Sequence, residues 1–184
     1  MKACVIIPAR FKSSRFPGKP LVKILGKEMI LWVAELSAKA VNISNVFIAT
    51  DDLRISRIVE KNGFNAILTS KELLTGTDRV AEASENLNYD IFVNVQGDEP
   101  LVNPMDIKKA IDLKIRFPNS ILNSYYQIGE NENPINKNIP KVIFNENQDM
   151  IYISRALIPG SKDNSNNYTY HKQICIYSYN KNQL

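Results

Sequence analysis

Apolar runs alternate with amphipathic stretches up to Pro118, and that alternation predicts the elements. Lys2 to Ile7 is a short apolar run that reads as a first strand and stops at Pro8. Met29 to Val41 sets Ile30, Val33, Ala34, Ser37 and Val41 along one helical stripe. Val46 to Thr50 reads as a second strand. A helix follows that Asp52 caps, that runs through Glu60 and that Gly63 closes. Asn65 to Leu68 reads as a third strand, and Thr77 to Leu87 as a helix with Thr77 as its N-cap. Tyr89 to Val95 predicts strand four. Pro104 to Phe117 predicts a helix with Asn103 as cap and proline at its first position. This rhythm predicts an α/β fold with a doubly wound, mostly parallel, Rossmann-like sheet.

After Pro118 the pattern changes. Ser120 to Ile128, Lys141 to Asn145 and Met150 to Ser154 read as strands without a long helix between them, a β-rich insertion at one sheet edge. Gly129 to Asn138 is polar and Asn-rich and reads as a mobile loop, as does Ser161 to Asn167. Gln173 to Tyr179 is again an apolar strand, and Asn180 opens what reads as a further helix. The expectation is one domain, with an α/β half over residues 1–118 and a β-rich part over 119–184.

Composition excludes several classes. With 184 residues, 44% of them hydrophobic and 23% charged, the chain can build a full core. No apolar run is long enough to predict a membrane span, and the opening seven residues are too short for a signal peptide. Cys4 and Cys175 both lie in strand-like runs. They read as unbridged thiols of a reducing compartment, so a cytoplasmic location is expected. The net charge of +4 suits an anionic substrate. No basic stripe with interleaved aromatics points to nucleic acid.

Two segments carry candidate chemistry. Val95-Gln96-Gly97-Asp98-Glu99-Pro100-Leu101 follows the fourth strand, where α/β proteins bind ligands. Gly97 permits a sharp turn there and Pro100 fixes the exit. Asp98 is then a hard oxygen ligand suited to Mg²⁺ on a nucleotide phosphate. The plainer reading is a strand-ending turn with solvated acids. Ala9 to Pro20 follows the first strand and holds Arg10, Lys12, Ser13, Ser14, Arg15, Gly18 and Lys19 without an acid. Such a loop wraps a polyanion with amides, hydroxyls and cations, or is simply a solvated basic loop. It is neither a Walker loop nor a dinucleotide fingerprint, because the glycine spacings differ. Gln96, neutral and beside Asp98, suits a bond to a sugar hydroxyl or is simply a turn residue. Arg155, just past a strand, suits a carboxylate or phosphate. Asp51 and Asp52 read as a turn and a cap.

The chain resembles the sugar-acid cytidylyltransferases, and among them those acting on 3-deoxy-manno-octulosonate (KDO). The resemblance rests on Ile7-Pro8-Ala9-Arg10 with Arg15 to Leu21, Gly26 to Ile30, Ala49 to Asp52, Thr75 to Arg79, Asn94 to Pro100, Ser154 to Pro159, and His171 with Ile176 to Tyr179. It covers nearly the whole chain. Thr75 stands where the family usually has Ser, and Leu157 where it has Pro.

The resemblance implies a nucleotide-diphospho-sugar transferase type of fold. Residues 1–118 become a nucleotide-binding half and 119–184 a sugar-binding and dimerisation part. It implies CTP as nucleotide, Mg²⁺ as cofactor held by Asp98, and KDO or a related sugar acid as acceptor for a lipopolysaccharide or capsule precursor. Arg10, Lys19 and Asp98 are then the catalytic set. Ala9, Arg10, Ser13, Ser14, Arg15, Lys19, Thr75, Gly76, Thr77 and Arg79 surround the nucleotide; Gln96, Arg155 and His171 face the sugar. A homodimer is expected. The family pattern continues past Leu184 with a Glu-rich helix and a late metal-binding Asp, so a C-terminal part is expected to be missing. The alternatives are a nucleotidyltransferase for another base or for a sugar phosphate, activation of another nonulosonic acid such as pseudaminic acid, and a CTP-binding domain without turnover.

Overall fold

The computed structural model describes residues 1–12, 16–160 and 168–184. In chain order its elements are β1 (Ala3–Ala9), β2 (Lys23–Ile24), β3 (Lys27–Glu28), α1 (Met29–Ala38), β4 (Val46–Thr50), α2 (Leu53–Lys61), β5 (Asn65–Leu68), α3 (Gly76–Ser84), β6 (Ile91–Val95), α4 (Pro104–Arg116), β7 (Leu122–Gln127), β8 (Lys141–Phe144), β9 (Met150–Ser154) and β10 (His171–Tyr179). They fall into two compact units, Met1–Leu122 with Cys175–Leu184, and Asn123–Ile174.

The first unit is built around β1. Cys4, Val5, Ile6 and Ile7 are fully buried because strands flank β1 on both sides. Val5 lies opposite Val46 of β4, and Ile6 opposite Asn94 of β6, both in parallel register. β4 pairs in parallel with β5, and β10 lies antiparallel to β6, with Ile176 opposite Val95. The strand order is β5-β4-β1-β6-β10. The chain thus winds outward from β1 to β5 and returns to β6 on the other side of β1. That reversal is a topological switch point, and in open α/β sheets the crevice that takes ligands lies there, here at the carboxyl ends of β1 and β6.

Helices cover both faces of these strands. Val80 and Ala83 of α3 pack on Cys4, Ile6, Ala49 and Phe92. Ile7 points to the opposite face, as strand alternation requires, and both Ile7 and Ile30 of α1 approach Gly97. Two helix starts hold as expected: Asp52 accepts from the Arg54 amide at 2.9 Å and Asn103 from the Met105 amide at 2.9 Å. The start of α3 differs. Thr75, not Thr77, is its cap, in a reciprocal box with Asp78. After Asn180 the described residues form a single 3-10 turn, Lys181–Gln183. Cys4 is buried, which pushes its thiol up to about 12, and neither cysteine is in a disulfide.

The second unit is a small β structure. β8 pairs antiparallel with β9, Lys141 lies opposite Lys172 of β10, and β7 pairs with β10. The segment from Gly129 to Asn138 forms no helix or strand, yet it is tied rather than loose. Glu132 pairs with Lys172, and Arg155 donates to the carbonyls of Lys137 and Asn138, both at 3.1 Å. Lys141 is fully buried. Its ammonium donates to the carbonyls of Asn136, Ile139 and Arg155 at 3.1, 2.8 and 2.8 Å. Burial holds its pKa below the usual lysine range. The loop expected at Ser161 to Asn167 lies outside the described residues.

Candidate functional site

The crevice begins where β1 ends. Ala9 is buried opposite Thr50, and the chain then leaves the sheet at the exposed Arg10. One guanidinium nitrogen of Arg10 lies 3.5 Å from the Leu74 carbonyl, in the segment that leads into α3. Phe11 pins the base of the basic loop. Its amide donates to Asp51 at 3.3 Å, and its carbonyl accepts from the Gly18 amide at 2.9 Å. The Arg54 guanidinium stacks over the Phe11 ring, 3.4 Å from its centroid. Gly18 has φ +72°, and a Cβ there would meet that ring at 3.1 Å, so glycine suits the return of the loop. Ser13, Ser14 and Arg15 lie outside the described residues. Lys19 opens a 3-10 turn over Lys19–Leu21 that Pro20 anchors by burial.

The other wall is the exit of β6. Gly97 has no positive φ; its constraint is a close approach. A Cβ at that position would lie 2.8 Å from the Pro8 carbonyl oxygen. The two strand exits therefore run against each other, and Asp98 emerges beside Lys19. The Lys19 ammonium lies 2.5 Å from the Asp98 carboxylate, with both side chains near half exposed. Gln96 donates to Asn94 at 3.2 Å, and a Cβ on Gly76 would touch the Gln96 amide and Pro8 at 3.3 Å. The N-terminus of α3 thus closes a third side.

Several expected contacts have other employment. The Thr75 hydroxyl accepts from the Asp78 amide at 3.1 Å and so serves the helix cap. Thr77 bonds the Tyr179 hydroxyl, a phenol that burial holds above the usual range. Arg79 is only 2% exposed, so it does not present its guanidinium to the crevice as a nucleotide contact would require. It faces inward to the Thr69 hydroxyl, the Ser70 carbonyl at 3.2 Å and Asp51 at 3.5 Å. Asp51, read from sequence as a turn residue, links that guanidinium to the Phe11 amide. Its sequence signals are its place at the end of a strand and its part in the Ala49 to Asp52 block of the resemblance.

Arg155 and His171 belong to the second unit. One end of the Arg155 fork is engaged by loop carbonyls. The His171 ring is edge-on to Tyr125 and Phe144, with centroids at 5.4 and 4.9 Å, and so has an aromatic packing role. Sequence reading also missed Lys114. It continues the buried stripe of Ile107 and Ala110 at helical spacing, a signal its charge conceals. No group of three or more His, Cys, Asp or Glu side chains able to hold a metal occurs among the described residues. Asp98 offers an exposed carboxylate beside Lys19 of the cationic loop, whereas the Asp51 carboxylate is taken up by Arg79 and the Phe11 amide.

Comparison with known proteins shows the family. Residues 4–184 match the family model described as "Cytidylyltransferase". A relative from Psychrobacter sp. (strain PRwf-1), the 3-deoxy-manno-octulosonate cytidylyltransferase, is 39% identical over 89% of this chain and 61% of its own. A relative from Shewanella piezotolerans, the 8-amino-3,8-dideoxy-manno-octulosonate cytidylyltransferase, is 38% identical over 98% of this chain and 76% of its own. The chain therefore spans between about three fifths and three quarters of the length of these two relatives. Among solved structures, CMP:2-keto-3-deoxy-manno-octonic acid synthetase complexed with CTP superposes with a TM-score of 0.90. It is 36% identical and covers 99% of this chain and 75% of its own.

Proposed function

Since the chain belongs to the cytidylyltransferase family, we propose that it transfers CMP from CTP to 3-deoxy-manno-octulosonate or a close sugar acid, releasing pyrophosphate. One observation carries this reading. The basic loop and the Gln96–Asp98 segment meet in one crevice, at the point where the strand order reverses. The likeness to a synthetase complexed with CTP supports the same nucleotide.

The residues divide the work. Arg10 and Lys19 neutralise the β- and γ-phosphates and then the departing pyrophosphate. The α3 N-terminus and the Ala9 backbone border the nucleoside. Gln96, its amide held by Asn94, bonds the sugar. A sugar hydroxyl attacks the α-phosphorus in line; the new P–O bond forms as the bond to pyrophosphate breaks, and the hydroxyl proton is lost to solvent. No side chain is covalently modified, so positioning and charge neutralisation supply the acceleration. Asp98 fits a Mg²⁺ role because this ion is commonly held by one or two carboxylates, substrate phosphates and water. When bound, Mg²⁺ neutralises phosphate charge and acidifies an oxygen it touches. Lys19 must then leave Asp98 for the phosphates.

The relatives' names differ at one sugar position, a hydroxyl against an amine at carbon 8. KDO and its 8-amino analogue are therefore both candidate acceptors. A homodimer belongs to this reading as well. Among the described residues β9 pairs only with β8, and Met150, Ile151 and Tyr152 on it are exposed apolar side chains that a second copy would cover. Among the described residues no helix is long and apolar enough to cross a membrane, and a cytoplasmic enzyme supplying lipopolysaccharide precursors is the setting proposed. Pyrophosphate release with each nucleoside triphosphate, tested against both sugars, checks the assignment. Preference for CTP with one of them supports it. CTP binding without release under any combination favours the alternative of a binding domain.

A further inference from the structure

We propose that Arg79 is a positioning residue, which through Asp51 sets the base of the basic loop without touching the nucleotide. The inference rests on the reading of that loop as the phosphate site. Three observations carry it. The Arg79 and Asp51 side chains are 3% and 10% exposed, so their interaction is little screened by solvent. The guanidinium fork spans two segments, one nitrogen serving Thr69 and Ser70 and the other Asp51, a reach between separated donors that a single ammonium nitrogen does not reproduce. The second Asp51 oxygen accepts from the Phe11 amide at 3.3 Å, and the Phe11 carbonyl accepts from Gly18, which precedes Lys19. A buried hub thus reaches the loop in two hydrogen-bonded steps. Displacement of Asp51 frees Phe11, and with it the Phe11–Gly18 contact that sets Lys19.

Arg79→Lys and Asp51→Asn test the linkage. The carboxamide introduced by Asp51→Asn keeps an acceptor for the Phe11 amide but loses the charge that Arg79 holds, so that variant threatens folding less. In the unliganded protein, amide exchange at Phe11 and Gly18 is expected to quicken about tenfold in both, as local opening does, while Ile48 and Val93 in the sheet keep their rates. Unchanged exchange at Phe11 and Gly18 in either folded variant overturns the proposal. Titration with pyrophosphate and with CTP gives the second readout. Both affinities are expected to fall by the same factor, about tenfold, since a misplaced loop weakens phosphate contacts alone. A loss for CTP with none for pyrophosphate overturns the proposal, because Arg79 would then serve the nucleoside. If the parent chain binds neither probe, the phosphate reading fails, and the exchange rates still decide whether Arg79 sets the loop.

Discussion

Gly97 and Pro8 hold the two strand exits together: a Cβ on residue 97 would lie 2.8 Å from the Pro8 carbonyl oxygen. Backbone oxygen cannot retreat as a side chain can, because Pro8 sits in the central strand. Gly97→Ala therefore forces β6 away from β1. We expect a loss of about 1–3 kcal/mol, the usual cost of overpacking. Urea denaturation measures it; an unchanged midpoint would show that the exits part without cost.

The proposed phosphate site makes nucleotide affinity depend on the cations of the loop. Arg10→Ala and Lys19→Ala are each expected to cost about 2 kcal/mol in CTP binding, within the range for lost charge-assisted hydrogen bonds. Calorimetric titration reads the change. Parent-like affinity in both folded variants removes the phosphate role.

Lys114 gathers the end of α4, the following turn and the C-terminal 3-10 turn. Its ammonium donates to the carbonyls of Pro118 and Ser120 and to Gln183, and burial holds its pKa below the usual lysine range. Lys114→Ala leaves three acceptors without that donor. A loss of about 2–4 kcal/mol is expected, more than a surface lysine costs. Chemical denaturation checks it.

Acid stability has a sign fixed by Asp52. Its hydrogen bond to Arg54 lowers its pKa from the ordinary 3.8 to about 2. A carboxylate depressed in the folded state contributes stability above its unfolded pKa, and that contribution is lost as pH falls through the folded value. The window is therefore between about pH 4 and pH 2. Asp52→Asn keeps the capping acceptor but removes the titration. Its stability is expected to fall less steeply than the parent's across that window, as thermal melts at stepped pH would show.

Much of this arrangement was legible in the sequence. β4, β5 and β9 coincide with the expected runs because each is a short, mostly apolar segment that a polar residue follows. The order of strands and helices placed the basic loop and Asp98 at the ligand-binding edge. The cap of α3 was misplaced because Thr75 and Thr77 carry the same hydroxyl; Asp78, three residues after Thr75, is the residue that decides between them. The inward turn of Arg79 was not legible. A local motif reports helix position, whereas burial of this guanidinium depends on Thr69 and Asp51, which come from other strands' ends. Gly97 was read as a turn former because sequence does not reveal how near Pro8 passes.

Pyrophosphate release from CTP and KDO at saturating Mg²⁺, compared between the parent chain and Asp98→Asn, is the most direct test that this crevice transfers CMP. Asparagine keeps the size and one acceptor but removes the charge that a hard cation needs. CTP-dependent release by the parent is expected, with a fall of at least about 100-fold in the variant, which still folds. Near-parental release by Asp98→Asn, or release by the parent that is equally fast with every nucleoside triphosphate, would contradict it.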